Sequence, residues 1–154
     1  MLFSQSNYNR SNKITTIKIP ISQEAIDLAN ALSRDKATVS ARQQLGEALL
    51  DELCDAAKID IIKLKISDAN QYHRKRDGKV VIKKYGVYHP KTKFISIANR
   101  TAVRGQTLAA KTFTDTLLHE WLHHYDTYKL KLRSIHSKGF YLRLNDLKEK
   151  LKIK

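Results

Sequence analysis

Apolar residues recur along this chain with two periods, and the alternation between them lays out its elements. Phe113, Leu117, Trp121 and Tyr125 follow at intervals of four, Leu118 and Leu122 widen the stripe, and no Pro or Gly interrupts residues 106–137. This is the spacing of a helix burying one side; it is predicted to start between Thr107 and Thr112 and to run to about Tyr128. A second helix is predicted from about Val39 to Ala57, with Leu45, Leu49, Leu53 and Ala56 on one side and Ser40 and Gln43 as a capping box. A third runs from about Gln23 to Ser33, N-capped by Ser22, with Ile21 and Ile26 as a hydrophobic staple. A last helix, about Lys138 to Lys150, carries Phe140, Leu144, Leu147 and Leu151 at helical spacing.

The other period is two. Ile14–Ile19, ended by Pro20, and Ile59–Ser67 have the β-branched content of strands. Lys79–Tyr88 and Lys93–Ala98 read as two more, joined by a turn at His89-Pro90-Lys91-Thr92, and Phe94 to Ala98 alternates as a half-buried strand does. Asp68–Asp77 is polar and predicted as a loop. Residues 1–13, rich in Asn and Ser, read as a flexible N-terminal tail, and residues 14–154 as a single α+β domain. A small, mainly antiparallel sheet packed on the helix around residue 120 is the expected arrangement.

Composition adds little beyond class. A chain of 154 residues with 42% hydrophobic and 29% charged positions is an ordinary soluble globular chain. No apolar run approaches a membrane span, and the polar N-terminus lacks the apolar stretch of a signal peptide. Cys54 is the only cysteine, which excludes an internal disulfide and a Cys-based zinc ribbon within this chain. A cytoplasmic protein is the expectation.

Charge changes the picture when divided along the chain. The net charge is +14, yet residues 1–72 balance, 73–104 carry +9, 105–128 carry −2 and 129–154 carry +7. Basic segments therefore bracket a slightly acidic helix in sequence, an arrangement that would draw a polyanion such as DNA towards it.

That central helix carries H-E-x-x-H: His119, Glu120 and His123. Residues four apart on a helix lie one above the other, so two imidazoles reach one metal ion, while Glu120 stands beside them, close enough to touch a water on the metal. A catalytic zinc site takes three protein ligands plus water. The candidates for the third are His136, His124, Asp126, Glu149, His89 and His73. His124 points about a quarter turn from His123; Asp126 and Asp115 suit partners that orient an imidazole. His136 is favoured, because it lies in a turn before a helix, where the chain can fold back.

His119-Glu120-x-x-His123 followed by His136-Ser137-x-x-Phe140 resembles the SprT-like zinc metallopeptidases and their minimal-zincin relatives, over about Tyr85 to Leu147. In that family the last ligand reads H-[GS]-x-x-F before an amphipathic helix; many members have Gly directly after this His, where this chain has Ser137, with Gly139 two places on. The resemblance implies a small α+β zincin, with eukaryotic members cleaving proteins crosslinked to DNA. The expected chemistry is peptide hydrolysis: Zn²⁺ held by His119, His123 and His136 activates a water, and Glu120 acts as general base. An exposed strand edge beside the metal would receive the extended substrate. Expected partners are a protein or peptide substrate and DNA, the latter through segments 73–104 and 129–154 with Tyr72, Tyr85, Tyr88 and Tyr141 available for stacking. The alternative is a basic nucleic-acid-binding protein whose zinc site is structural or relict.

Overall fold

A computed structural model describes residues 2–34, 38–70, 72–76, 79–101 and 104–153, and the side chains of these apart from 2–5 and 69–84. Among the described residues five helices, α1 (Leu2–Lys13), α2 (Gln23–Arg34), α3 (Val39–Ala57), α4 (Ala110–Tyr128) and α5 (Lys138–Lys150), combine with five strands, β1 (Lys63–Asn70), β2 (Tyr72–Arg76), β3 (Lys79–Lys84), β4 (Gly86–His89) and β5 (Phe94–Arg100). The class is α+β, as the two periods predict.

The core forms where helical and strand patterns meet. Ile62, Leu64, Ile66, Ile95 and Ile97 face Leu49, Leu50, Leu53, Leu117, Leu118, Trp121 and Leu122. Helix α3 packs on β1, α4 on β4 and β5, and α2 on both helices. Gly46 lets α3 come down on the sheet, since a Cβ there would lie 2.8 Å from Leu64 Cδ2. Arg42 is buried, donates to Asn99 Oδ1 at 2.6 Å and Leu108 O at 2.7 Å, and lies over the Phe113 ring.

The three-stranded sheet has the order β1-β5-β4. The β4–β5 hairpin is antiparallel as predicted, but β1 runs parallel to β5, so the sheet is mixed rather than mainly antiparallel. In this register Leu64 pairs with Ile95 and Ile66 with Ile97, which puts both buried rows on one face. The predicted strand Lys79–Tyr88 is divided at Tyr85 into β3 and β4, which belong to different sheets, and β2 pairs with β3 where a loop was expected.

Two further expectations are corrected at the N-terminal side. Ile14–Ile19 buries Ile17 and Ile19 without joining a sheet, because its backbone groups find side-chain partners on α5. Ile17 N donates to Asp146 Oδ2 at 2.8 Å, Ile17 O accepts from Lys150, and Ile14 O accepts from Arg143. Residues 2–13, read as a flexible tail, form helix α1 docked on α5. Ser22 caps α2 as predicted, through Ala25 N at 3.0 Å. The cap of α3 is Thr38 rather than Ser40, accepting from Ala41 N, and Gln43 instead bonds the outer edge of β1 at Leu64 O and Ile66 N.

Candidate metal centre

Helix α4 turns Phe113, Leu117, Leu118, Trp121, Leu122 and Tyr125 into the core. This leaves His119 and His123 on the opposite side, facing an open cleft of about 780 Å³. Past Tyr128 the chain reverses. Lys129 N and Leu130 N both donate to Tyr125 O, Lys131 takes a left-handed conformation at φ 56°, and Leu132 N donates to Asp126 O. The returning segment then runs back along α4 and delivers His136 just before Ser137 caps α5, accepting from Phe140 N at 3.1 Å.

The three predicted ligands converge. His136 Nε2 lies 3.1 Å from His119 Nε2 and 3.0 Å from His123 Nε2, so His119, His123 and His136 lie close enough together to hold a metal ion. A single imidazole N–H cannot serve both neighbours well, whereas nitrogens about 3.3 Å apart are what a tetrahedral ion with N ligands at about 2.0–2.1 Å requires. Burial, then the charge of His136, lowers the His119 pKa to about 4; burial, then His119 and His136, lowers that of His123 to about 3. Both rings are thus neutral at pH 7, the form that ligates.

The far nitrogen of His123 is held by a chain of groups. Its Nδ1 is 2.7 Å from Ser134 Oγ, and Ser134 donates to Asp126 Oδ2 at 3.0 Å. The hydroxyl proton being committed to Asp126, Ser134 accepts from His123 Nδ1–H, which leaves the Nε2 lone pair facing the other two rings. Asp126 is fully buried and clasped by Arg143, Nη2 to Oδ2 at 2.8 Å and Nε to Oδ1 at 3.1 Å. Burial pushes the Asp126 carboxyl up, while Arg143 and Ser134 pull it down. Asp126 therefore orients an imidazole as its position predicts, but through Ser134. Asp115 instead pairs with Lys148 at 2.9 Å.

Phe140 lies beneath the cluster, stacked on His123 with centroids 4.7 Å apart and edge-on to His119 and His136. Glu120 lines the cleft, mostly buried, with Oε2 4.0 Å from His119 Nε2. The cleft's other wall is β4, the outer strand of its sheet, including Gly86 and Tyr88.

The remaining candidates lie elsewhere. His124 is buried, its Nε2 2.8 Å from Asp60 O and its Nδ1 2.8 Å from the Tyr88 hydroxyl. The carbonyl can only accept, so Nε2 carries the proton and Tyr88 donates to Nδ1. Burial lowers the His124 pKa, and the ring pins β4 and the α3–β1 connection to α4. Tyr88 and Tyr85 pack against the core, and Tyr141 is exposed with its ring 6.0 Å from His136. His89 is exposed beside Phe94, and Glu149 is exposed on α5. The side chains of Tyr72 and His73 lie outside the described residues. Sequence reasoning missed Ser134 and Arg143; neither belongs to a motif, and the path of residues 129–137 brings the one to the site as the packing of α5 on α4 brings the other.

No family model, curated protein or solved structure matches the chain. Among the described residues no helix is long and apolar enough to cross a membrane.

Proposed function

We propose that this protein is a zinc-dependent metallopeptidase of SprT-like type. The observation that carries the reading is the convergence of three imidazole Nε2 atoms, within 4.8 Å of one another, beside Glu120 in a cleft walled by an outer strand. His119, His123 and His136 would hold the ion, which when bound supplies Lewis acidity, polarising a carbonyl and lowering the pKa of water to about 7. Glu120 then takes the proton of the attacking water and returns it to the leaving amine. The outer edge of β4 aligns an extended peptide by main-chain hydrogen bonds, and the Ser134–Asp126 chain keeps His123 in the ligating tautomer.

The test is zinc quantification paired with casein cleavage. Glu120→Gln keeps its zinc and loses roughly 10²- to 10⁴-fold in turnover; His136→Ala loses both zinc and cleavage. Cleavage by Glu120→Gln at the wild-type rate would remove Glu120 as the base.

A second reading, a nucleic-acid-binding protein, draws on one structural fact. Strands β2 (Tyr72–Arg76) and β3 (Lys79–Lys84), rich in Lys and Arg, pair as a two-stranded ribbon that is separate from the main sheet and precedes β4 in the chain. A ribbon of this kind fits a DNA groove, and the two readings combine if DNA brings bound proteins to the cleft. Replacing Arg74, Lys75 and Arg76 with Ala should weaken DNA binding and flatten its salt dependence by up to about three in log–log slope. An unchanged slope would exclude the ribbon as a contact.

A further inference from the structure

None of the described side chains of α1 lines the cleft, yet its polar side chains attach to the segment that carries the third imidazole. Asn7 Nδ2 donates to Arg133 O at 2.8 Å, and Arg133 N donates back to Asn7 Oδ1 at 2.8 Å. One side chain thus serves both backbone groups of Arg133, as a neighbouring strand would. Arg10 Nη2 donates to Leu130 O at 3.0 Å. Ser11 Oγ lies 2.7 Å from Ser137 Oγ, on the residue next to His136, and Asn12 Oδ1 accepts from Gly139 N at 3.0 Å. The contact is close enough that a Cβ on Gly139 would fall 1.9 Å from Ser11 O. Arg143, which clasps Asp126, also donates to Ser11 O at 2.6 Å.

These bonds span the His136 segment from one end to the other. Its own backbone ties to α4 stop at Leu132; beyond that, Arg133 is held by Asn7, and Ser137 meets Ser11. Helix α1 is twelve residues long, rich in Asn and Ser, and too short and polar to be stable alone. Helix and segment therefore order each other.

We propose that α1 is a positioning clamp for the metal centre: Asn7 and Ser11 hold residues 133–137 so that His136 meets His119 and His123. The proposal rests on the metal-site reading above. Coupling between two sites is reciprocal, so a clamp that tightens metal binding must itself be tightened by the metal: zinc must oppose the local opening of α1, and not only the global unfolding that it opposes for every helix.

The experiment uses the full chain and zinc, with affinity read by chelator competition. Asn7→Ala and Ser11→Ala should each weaken zinc binding, by up to the roughly 10- to 100-fold that follows loss of a group bonded directly to a ligand. Leu32→Ala, in the core on α2, serves as a destabilised control and should leave affinity unchanged. Thermal melts of the zinc-free proteins confirm that each variant folds; Asn7, only partly buried, is the milder of the two. Amide exchange supplies the reciprocal arm: where residues 7–12 exchange faster than the core of α2, and so by local opening rather than global unfolding, zinc should slow them in the wild type and not in His136→Ala. Wild-type affinity in Asn7→Ala and Ser11→Ala, equal losses in Leu32→Ala, or exchange in α1 indifferent to zinc would each overturn the clamp. A wild type that binds no zinc would instead overturn the metal-site reading itself.

Discussion

Gly86 is where strand and helix approach too closely for any side chain. A Cβ there would lie 2.8 Å from Thr116 Cγ2 and 3.2 Å from Glu120 Cγ, so the glycine sets how near the β4 edge comes to the proposed base. Gly86→Ala should cost about 1–3 kcal/mol of stability by overpacking and lower kcat/KM by displacing Glu120 or the edge. Thr116→Ser removes the methyl that the new Cβ meets and keeps the hydroxyl bonded to Thr112 O, so the double variant should recover part of both losses. Strict additivity in that cycle would show that the crowding lies elsewhere. At this scale the meeting of three imidazoles was readable in advance. That of His119 and His123 follows from helical spacing, and that of His136 from its place in a turn before a helix. His124 was rightly set apart, since adjacent helix positions diverge. Ser134 was hidden because its role depends on where a reversing segment comes to rest, which no local pattern encodes.

Apart from α1, whose polar sequence carries no apolar stripe, helices were legible and strands less so, for a physical reason. A helix satisfies its own backbone within the segment, so α3, α4 and α5 begin and end close to where their apolar stripes and caps do. A strand depends on partners: Ile14–Ile19 has strand-like composition, but Asp146, Lys150 and Arg143 take up its backbone groups. The same dependence made β1 parallel and divided Lys79–Tyr88 between two sheets. Helix α5 is the element that ties these pieces together. Its Arg143 is wholly buried and joins Asp126 on α4 to the backbone of Ser11 and Ile14. Arg143→Ala leaves Asp126 as an unpaired buried carboxylate and should cost about 3–5 kcal/mol, measured by urea unfolding. Arg143→Lys keeps the charge but cannot reproduce the two-point clasp, and should fall between. A loss under 1 kcal/mol in Arg143→Ala would mean that the pair is not part of what holds α5 to α4.

Across the whole molecule, the proposed metal links α4, which supplies two imidazoles, to the segment before α5, which supplies the third and whose backbone bonds to α4 end at Leu132. An ion that binds the folded chain and not the unfolded one stabilises it by mass action, by about 2.7 kcal/mol at a hundredfold excess over Kd. For a chain of this size each kcal/mol moves Tm by about 2–4 °C, so zinc should raise Tm by roughly 5–10 °C. The variants separate holding the ion from using it. His136→Ala should lose the shift, because two imidazoles on one helix cannot tie that helix to another segment. Glu120→Gln should keep the shift in full, since its carboxylate is proposed to act on water and not on the ion. Scanning calorimetry with zinc and with a chelator reads both. A shift that survives in His136→Ala would mean that the ion sits on α4 without crosslinking anything, and the cleft would then lack the three-imidazole grip that the hydrolytic reading requires.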